Sequence, residues 1–176
     1  MIVNKFWAMP NKNTFQISPI KNLIDKYNCV NLFNYKERFI SIDPFSNNNK
    51  IATITNDLDS QFNTDYNLDA LDFFKKMNNN TIDLVLFDPP YSPRQVAECY
   101  KKLGKSVNMK TTQSSFWGNL KKEISRVTKK DSKVISFGWN SNGIGKENGF
   151  EQIEILLVAH GGNHNDTICV VENKFK

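Results

Sequence analysis

The stretch "LVLFDPPYSPRQ" (residues 84–95) decides the fold. It opens inside a continuous apolar run, which is typical of a parallel strand that is buried on both faces. Ser92, Pro93 and Gln95 then form the signature of a helix start, with a capping serine, a proline at the first helical position and a capping-box glutamine. The residues between, 88–91, are therefore predicted to form a tight turn from the carboxyl end of a central strand into a helix.

Strands and helices alternate along the rest of the chain. The predicted strands are 38–43, 51–57, 82–88 and 133–139, and the predicted helices are one opening at Ser18, 69–77, 95–103 and one around 117–127. The segments "EQIEILLVAH" (151–160) and "NDTICVVEN" (165–173) are predicted to form a hairpin. This order predicts an α/β fold whose sheet is mostly parallel with an antiparallel C-terminal hairpin.

Length and composition indicate one soluble domain that covers 1–176. The chain is 39% hydrophobic and has no apolar run near the roughly 20 residues that span a membrane. Its start has no secretory signal pattern. The three cysteines, Cys29, Cys99 and Cys169, have neither metal-site nor disulfide spacing, which favours a reducing, cytoplasmic location.

Positive charge is concentrated in one part of the chain. The net charge is +5, but residues 92–133 hold eleven Lys and Arg against three acids, or +8, so the remainder carries −3. A basic block of this kind suits a polyanion such as nucleic acid, although a solvated surface would also be lysine-rich.

The 88–91 turn has an acceptor set suited to an aromatic amine. In open α/β sheets, ligands bind outside the carboxyl ends of the strands. The Asp88 carboxylate and the Pro89 carbonyl can accept the two hydrogens of an exocyclic amine, and Tyr91 can stack on the attached ring. Since the lone pair of such a nitrogen is delocalised, two acceptors that localise it would stabilise the transition state of a substitution at nitrogen.

The same residues resemble a known family. "DPPY" (88–91) resembles motif IV of the S-adenosylmethionine-dependent amino-methyltransferases of DNA, and its leading Asp is closer to the adenine-N6 type than to the cytosine-N4 type. Other segments are similar to further family motifs in one order along the chain: "NKNTFQISPI" (11–20), "SIDPF" (41–45), "TNDLD" (55–59) and "LDALDFF" (68–74). "SFGWNSNG" and "EILLVAHGGNHNDTI" resemble the tail of small phage- or plasmid-type adenine methylases.

The resemblance implies a Rossmann-like methyltransferase fold, S-adenosyl-L-methionine as cofactor, and direct methyl transfer to the N6 amine of an adenine flipped out of DNA. It implies that the target base is held by Asp88, Pro89, Pro90 and Tyr91. It implies that the cofactor is held by Phe15, Ile17, Asp43, Phe45, Asp57 and Asp69, with Asp59 as a rival of Asp57. The three acids at 57, 59 and 69 could equally be helix caps or turn residues, and Phe15 and Ile17 could be plain core.

Two departures from the family pattern stand in the first cofactor loop. The segment 44–50, "PFSNNNK", has no glycine, so Asn47, Asn48 and Asn49 are expected to supply the left-handed backbone that glycines normally supply. Seven residues are also too few for the usual crossover helix. The sheet face left open should then be covered by the N-terminal segment, with Phe6, Trp7 and Phe15, or by another subunit. We favour a twofold homodimer.

No separate target-recognition domain is predicted, so DNA contacts are assigned to the basic stretch beside Asp88. The residues are Arg94, Lys101, Lys102, Lys105 and Lys110, and 104–116 is a candidate mobile loop. His160 and His164 lie on the terminal hairpin, where a turn role is favoured and no metal site is expected.

Three other functions remain open. The same chemistry could act on RNA, which also offers adenine. A catalytically silent nucleic-acid-binding subunit would explain the missing glycines, although it need not keep "DPPY". A protein-glutamine methyltransferase is disfavoured, because the corresponding turn of that family normally begins with Asn.

Overall fold

The computed structural model describes residues 1–28, 39–104 and 114–176. Seven strands form one sheet: β1 (Ile2–Trp7), β2 (Ser41–Asp43), β3 (Ile54–Thr55), β4 (Ile82–Phe87), β5 (Thr128–Gly138), β6 (Phe150–Ala159) and β7 (Thr167–Lys174). The α-helices are α1 (Ser18–Tyr27), α2 (Ala70–Lys75), α3 (Pro93–Lys102) and α4 (Ser114–Val127), and short 3-10 helices cover Thr14–Gln16 and Lys146–Asn148.

The strand order is β1-β6-β7-β5-β4-β2-β3. The strand β4 is central and runs parallel to both β2 and β5, and its side chains from Leu84 to Leu86 are completely buried. The hairpin partners β6 and β7 are antiparallel, and β7 lies between β5 and β6. The predicted fold class, a mostly parallel α/β sheet with an antiparallel C-terminal hairpin, is confirmed.

Two predicted strands are shorter than the sequence indicated. The predicted strand 38–43 is reduced to β2, with Arg38 outside the described residues, and the predicted strand 51–57 is reduced to β3. The reason lies in two side chains: the N–H of Ser41 donates to the Thr53 hydroxyl at 2.8 Å, and the N–H of Thr53 donates to the Ser41 hydroxyl at 3.0 Å. Hydroxyl groups thus replace the backbone ladder at this point.

The strand β1 was not predicted, and β5 begins at Thr128, five residues before the predicted start. Along β1 the side chains do not alternate between buried and exposed, because this strand lies at the edge of the sheet and pairs only with β6 among the described strands. Periodicity therefore gave no signal for it.

Helices cover the sheet on both faces. On one face α2 and α4 pack against the central strands through Phe73, Phe74, Leu120 and Ile124, all completely buried. On the other face the 3-10 helix at 14–16 and α1 pack through five buried apolar residues: Phe15, Ile17, Ile20, Leu23 and Ile24.

The predicted absence of a crossover helix is confirmed, since residues 44–53 are all described and none is helical. The open face was expected to be covered either by the N-terminal segment or by another subunit. The N-terminal segment covers it, through residues 15–24. Phe6 and Trp7, which were expected to help, lie on β1 with 54% and 65% of their surface exposed.

A buried acid attaches α1 to the sheet. Glu154 on β6 is only 3% exposed and accepts hydrogen bonds from Lys26 at 2.7 Å and from the Tyr27 hydroxyl at 2.6 Å. This contact holds the N-terminal helix, and with it the 14–16 turn, at a fixed position over the sheet. Within the three described ranges, no helix is long and apolar enough to cross a membrane.

Candidate active site

The 88–91 turn leaves the carboxyl end of β4 as predicted. Ser92 caps α3 by accepting the N–H of Gln95 at 3.2 Å, and Pro93 is the first helical residue. The Gln95 side chain reaches back to the N–H of Tyr91 at 2.6 Å, one residue further than a standard capping box. The turn is therefore held both by its prolines and by the first turn of the helix.

Asp88 lies at the centre of a small hydrogen-bond cluster. The Tyr91 hydroxyl donates to Asp88 Oδ1 at 2.5 Å, and the Thr14 side chain lies beside both residues. Burial raises the pKa of the Asp88 carboxyl, and the neighbouring Tyr91 and Thr14 hydroxyl groups offset this only in part. Burial beside the Asp88 charge also raises the pKa of Tyr91 far above its ordinary value, so this hydroxyl stays protonated and acts as a donor.

Tyr91 also contacts the end of the neighbouring strand. Its ring meets that of Trp139 edge-on, with centroids 5.2 Å apart, and a Cβ added to Gly138 would lie 4.0 Å from the ring. Trp139 follows β5 directly, just as Asp88 follows β4. The carboxyl ends of two adjacent parallel strands thus supply a carboxylate and two aromatic rings.

A cavity of about 420 Å³ opens beside this turn. This volume lies within the usual range for small-molecule sites. Its walls come from the turn 88–91, from α3, and from the loops after β2 and β3. The charged lining residues are five acids and one base: Asp57, Asp59, Asp69, Asp88, Glu98 and Lys102. The cavity therefore favours a cationic or zwitterionic ligand over a polyphosphate.

The glycine-free loop 44–50 shapes one wall. Asn47 has φ = 49°, in the left-handed region, and its N–H donates to Asp57 Oδ2 at 2.9 Å. Among the described residues, Asn48 and Asn49 are not in that region, so one of the three asparagines replaces a glycine. Asn49 instead bonds Asn13 at 3.3 Å, which links this loop to the turn that carries Thr14.

Three of the six predicted cofactor residues line the cavity, as does Asp59, the rival of Asp57. Phe45, Asp57, Asp59 and Asp69 line it. Each of the three acids also has a turn or cap role, since Asp57 accepts the N–H of Asp59, Asp59 accepts that of Gln61, and Asp69 caps α2. The alternative role as turn or cap residues is therefore confirmed for all three, and their role in holding the cofactor stays a prediction.

Three predicted cofactor residues lie outside the lining. Phe15 and Ile17 are 4% and 5% exposed and pack in the core, where Phe15 contacts Phe137 at a centroid distance of 4.8 Å. Asp43 lies directly behind the wall at 1% exposure and accepts the N–H of Phe45 at 3.0 Å. Burial, together with the nearby charges of Asp88 and Asp57, raises the pKa of Asp43 well above its ordinary value.

Solved structures resemble this fold. HI0767 from Haemophilus influenzae, proposed to be a methylase, matches with a TM-score of 0.54 at 10% identity, over 90% of this chain and 98% of that one. SMU.776, proposed to be a methyltransferase and solved with S-adenosylhomocysteine, matches with 0.54 at 10% identity, over 86% and 48%. TrmN from Thermus thermophilus matches with 0.51 at 14% identity, over 91% and 49%.

The chain has a methyltransferase fold. It spans about half the length of SMU.776 and of TrmN. The sequence matches no family model, and no curated protein matches it. At such low identity the likeness concerns the fold alone, and the function has to be argued from the site.

Four residues at the site were not assigned to it from the sequence. Tyr100 on α3 closes one side of the cavity by donating its hydroxyl to Asp69 Oδ2, and Phe62 lines the cavity from the loop after β3. Trp139 contacts the turn from the position directly after β5, and Thr14 lies beside it in the 3-10 helix that precedes α1. The position of these two residues depends on the tertiary fold.

The predicted DNA-contact residues are placed in part. Arg94, Lys101 and Lys102 lie exposed on α3, and Arg94 pairs with Glu98 at 2.8 Å. Lys105 and Lys110 lie outside the described residues, as does most of the predicted mobile loop 104–116, whose last three residues belong to α4.

The histidine His160 has a structural role. It is 6% exposed, and its Nδ1 donates to the Ala8 carbonyl at 2.8 Å while Nε2 faces the Thr167 hydroxyl at 2.9 Å. It therefore links the end of β1 to the terminal hairpin. In the described part of the chain, no three His, Cys, Asp or Glu side chains are grouped to hold a metal ion.

Proposed function

We propose that this protein transfers a methyl group from S-adenosyl-L-methionine to the N6 amine of adenine in DNA. The observation that carries this proposal is the Asp88-Pro89-Pro90-Tyr91 turn, which forms part of the wall of an acidic cavity within a methyltransferase fold.

The cavity walls fit the proposed cofactor. Asp57, just after β3, would accept hydrogen bonds from the ribose hydroxyls, and the aromatic rings of Phe45 and Phe62 would offer apolar surface to the adenine; all three line the cavity. The excess of carboxyl groups favours the positive charges of the methionine portion. When bound, S-adenosylmethionine supplies the electrophilic methyl group.

Asp88 and Pro89 act on the nucleophile. With Asp88 ionised, one carboxylate oxygen and the Pro89 carbonyl accept the two amine hydrogens, so the nitrogen lone pair is directed towards the incoming methyl carbon. The nitrogen must then lose one proton, and Asp88, whose pKa is raised, is the proposed acceptor. To bind Asp88, the adenine amine must compete with the Tyr91 hydroxyl, which donates to Asp88 Oδ1.

The DNA contacts are proposed for the exposed face of α3. Lys101 and Lys102 lie in the last turn of this helix, which starts at the proposed target-base site. Contacts to phosphate would hold the duplex there, while the adenine leaves the stack to reach Asp88.

The test is incubation of the full chain with methyl-labelled S-adenosylmethionine and, separately, duplex DNA, single-stranded DNA, RNA and protein. We expect label in DNA, recovered as N6-methyladenine after digestion to nucleosides. The Asp88→Asn variant is the matched control and should give no label. Label only in RNA or protein would contradict the proposed substrate.

A second candidate is a nucleic-acid-binding subunit without catalysis. It is favoured by the Tyr91 hydroxyl on Asp88 and by the glycine-free loop beside the cavity. Binding of DNA without methyl transfer, by a protein that also fails to bind S-adenosylmethionine in calorimetry, would support it.

A further inference from the structure

The acceptor pair of the 88–91 turn does not select adenine. Adenine N6 and cytosine N4 are both exocyclic amines with two hydrogens, and Asp88 with the Pro89 carbonyl suits either. Selection of a two-ring base needs a larger apolar surface than the single ring of Tyr91, so the residues around Tyr91 must be considered.

Trp139 supplies such a surface. It lies directly after β5, its ring stands at 60° to that of Tyr91, and 44% of its surface is exposed. Tyr91 and Trp139 therefore form an aromatic corner in which a base stacked on one ring is met by the edge of the other. The exposed part of the indole lies beside Tyr91 and is free to contact a base that stacks there.

The loop that carries Trp139 is fixed by a buried carboxylate. Glu172 on β7 is completely buried, and it accepts the N–H groups of Ile144 at 2.5 Å and Gly145 at 3.0 Å. Gly143 has φ = 58° and lies so close to this carboxylate that an added Cβ would be 2.4 Å from Oε2. The carboxylate thus determines the path of the loop.

The exposed part of the loop is held as well. Asn140 accepts the N–H of Asn142 at 3.0 Å, and Gln152 on β6 donates to the Ser141 carbonyl at 2.6 Å. These contacts, with the buried Ile144 side chain, give the loop a defined conformation from the residue after Trp139 to the start of the 146–148 turn. The position of Trp139 is therefore preorganised.

We propose that Trp139 is a specificity-determining residue that packs against the flipped adenine together with Tyr91, and that Glu172 is the positioning residue that holds its loop. This inference rests on the proposed function and adds the means by which a purine is preferred. The preference arises because the longer two-ring base, stacked on Tyr91, reaches the indole that stands at an angle beside it, whereas a one-ring base is too short to do so.

The test compares Trp139→Leu, which keeps an apolar side chain without a ring, with Trp139→Phe, which keeps a ring. We expect Trp139→Leu to lower kcat/KM for a DNA oligonucleotide by roughly 5- to 100-fold, mainly through KM, as for loss of one base–aromatic stack. Trp139→Phe should recover part of this loss. The Kd for S-adenosylmethionine should stay within about twofold in both.

A second readout does not depend on turnover. In a Trp7→Phe/Trp117→Phe background, Trp139 is the only tryptophan, and binding of an adenine-containing oligonucleotide should quench its fluorescence more than the same oligonucleotide with an abasic target site. In that background Glu172→Gln should lower the fluorescence anisotropy of Trp139 and raise the oligonucleotide KM. Asn140→Ala is the milder loop variant if Glu172→Gln does not fold. Trp7→Ala/Trp117→Phe, in which residue 7 on the distant strand β1 is Ala instead of Phe, is the matched control and should not change either readout.

The outcomes separate this inference from the proposed function. The role of Trp139 alone would be overturned if the wild type is active and Trp139→Leu keeps a kcat/KM within twofold of it. The same holds if the Trp139 fluorescence is quenched equally by the adenine-containing and the abasic oligonucleotide. A wild type that methylates no nucleic acid would overturn the proposed function and this inference with it.

Discussion

At the scale of single residues, the proposed function depends most on Asp88. Its carboxylate accepts hydrogen bonds at the wall of the cavity and contributes no apolar packing. We expect Asp88→Ala to lower the methyl-transfer rate at least about 100-fold, because an oriented acceptor is lost from the transition state. The Tm should change little, and the affinity for S-adenosylmethionine should stay within about threefold. Asp72→Asn, on the exposed face of α2, is the control. A methyl-transfer rate of Asp88→Ala within threefold of the wild-type rate would show that Asp88 has no part in the mechanism.

Asp43 is predicted to lower the stability of the fold at neutral pH and to favour binding of S-adenosylmethionine. Its folded-state pKa is raised by burial and by the charges of Asp88 and Asp57, so the folded chain holds a proton more tightly than the unfolded chain does. Stability from this group therefore falls as pH rises from about 4, the unfolded value, through the folded pKa, and the deficit is complete above it.

We therefore expect Asp43→Asn, which can still accept the N–H of Phe45, to raise the Tm at pH 7.5 by about 2–4 °C per kcal/mol recovered. The gain should shrink as the pH is lowered towards 4, and the affinity for S-adenosylmethionine should fall. Thermal melts across this pH range and calorimetry check both effects. A variant that melts below the wild type at pH 7.5 would show that the ionised carboxylate is stabilised by groups other than those named here.

Residue roles were predictable from sequence where local chemistry sets them. The turn at 88–91 and its capped helix follow from proline, serine and glutamine at fixed offsets. The positions of Thr14 and Trp139 do not, since each depends on which sheet face or neighbouring strand its segment meets. The bond from Tyr91 to Asp88 was also missed, because a stacking role was expected for the ring and none for its hydroxyl.

At the scale of elements, the loop 44–50 shows how an asparagine can adopt a backbone conformation that usually requires glycine. Asn47 at φ = 49° occupies a conformation that costs most non-glycine residues about 1–2 kcal/mol. We expect Asn47→Ala to lower the free energy of unfolding by about 1 kcal/mol and Asn47→Gly to leave it nearly unchanged. Urea denaturation measures both, with the exposed Asn48→Ala as control. Equal effects of Ala and Gly would show that the side chain of Asn47 matters more than its backbone.

The helix α3 is predicted to contact DNA through its last turn. The double change Lys101→Gln/Lys102→Gln should weaken DNA binding for all sequences and reduce the slope of log K against log salt by up to about 2, roughly one unit for each phosphate that is no longer neutralised. Fluorescence anisotropy at several salt concentrations measures the slope. Lys5→Gln on β1 is the control, and an unchanged slope in the double variant would move the DNA-binding face elsewhere.

Elements were predicted well where they are long and buried, and less well where side chains or edges intervene. The strand β4 and the terminal hairpin have strong apolar patterns. The strands β2 and β3 are short because Ser41 and Thr53 pair through their hydroxyl groups, and β1 is an edge strand without a buried face. None of these causes is visible in a pattern of apolar residues.

At the scale of the whole molecule, the surface that favours a dimer is the edge strand β1 and not the sheet face that lacks a crossover helix. The sheet face that lacked a crossover helix is covered by residues 15–24. The exposed apolar surface lies instead on the edge strand β1, where Ile2, Val3, Phe6 and Trp7 are all more than half exposed. Such an edge offers unpaired backbone groups together with apolar side chains, which favours pairing with another strand.

We therefore expect self-association through β1. Light scattering at micromolar concentrations should show a mass above that of the 20.3 kDa chain, and Val3→Lys should return it to the monomer without loss of methyl transfer. Gln16→Lys, an exposed change near α1, should have no effect. A monomer at all concentrations would leave β1 an exposed edge and defeat the dimer.

The strand order has a consequence for the way the chain is made. Because β7 lies between β5 and β6, the sheet cannot be joined until β7 has left the ribosome. The strand β1 pairs with β6 from Ile2 to Glu154, so it waits for some 150 residues of synthesis, about 8–30 s at ordinary translation rates, before its partner exists. During that interval its apolar side chains are available to chaperones and to other nascent chains. We expect the yield of folded protein to change with the speed of translation, although the stability of the finished fold does not.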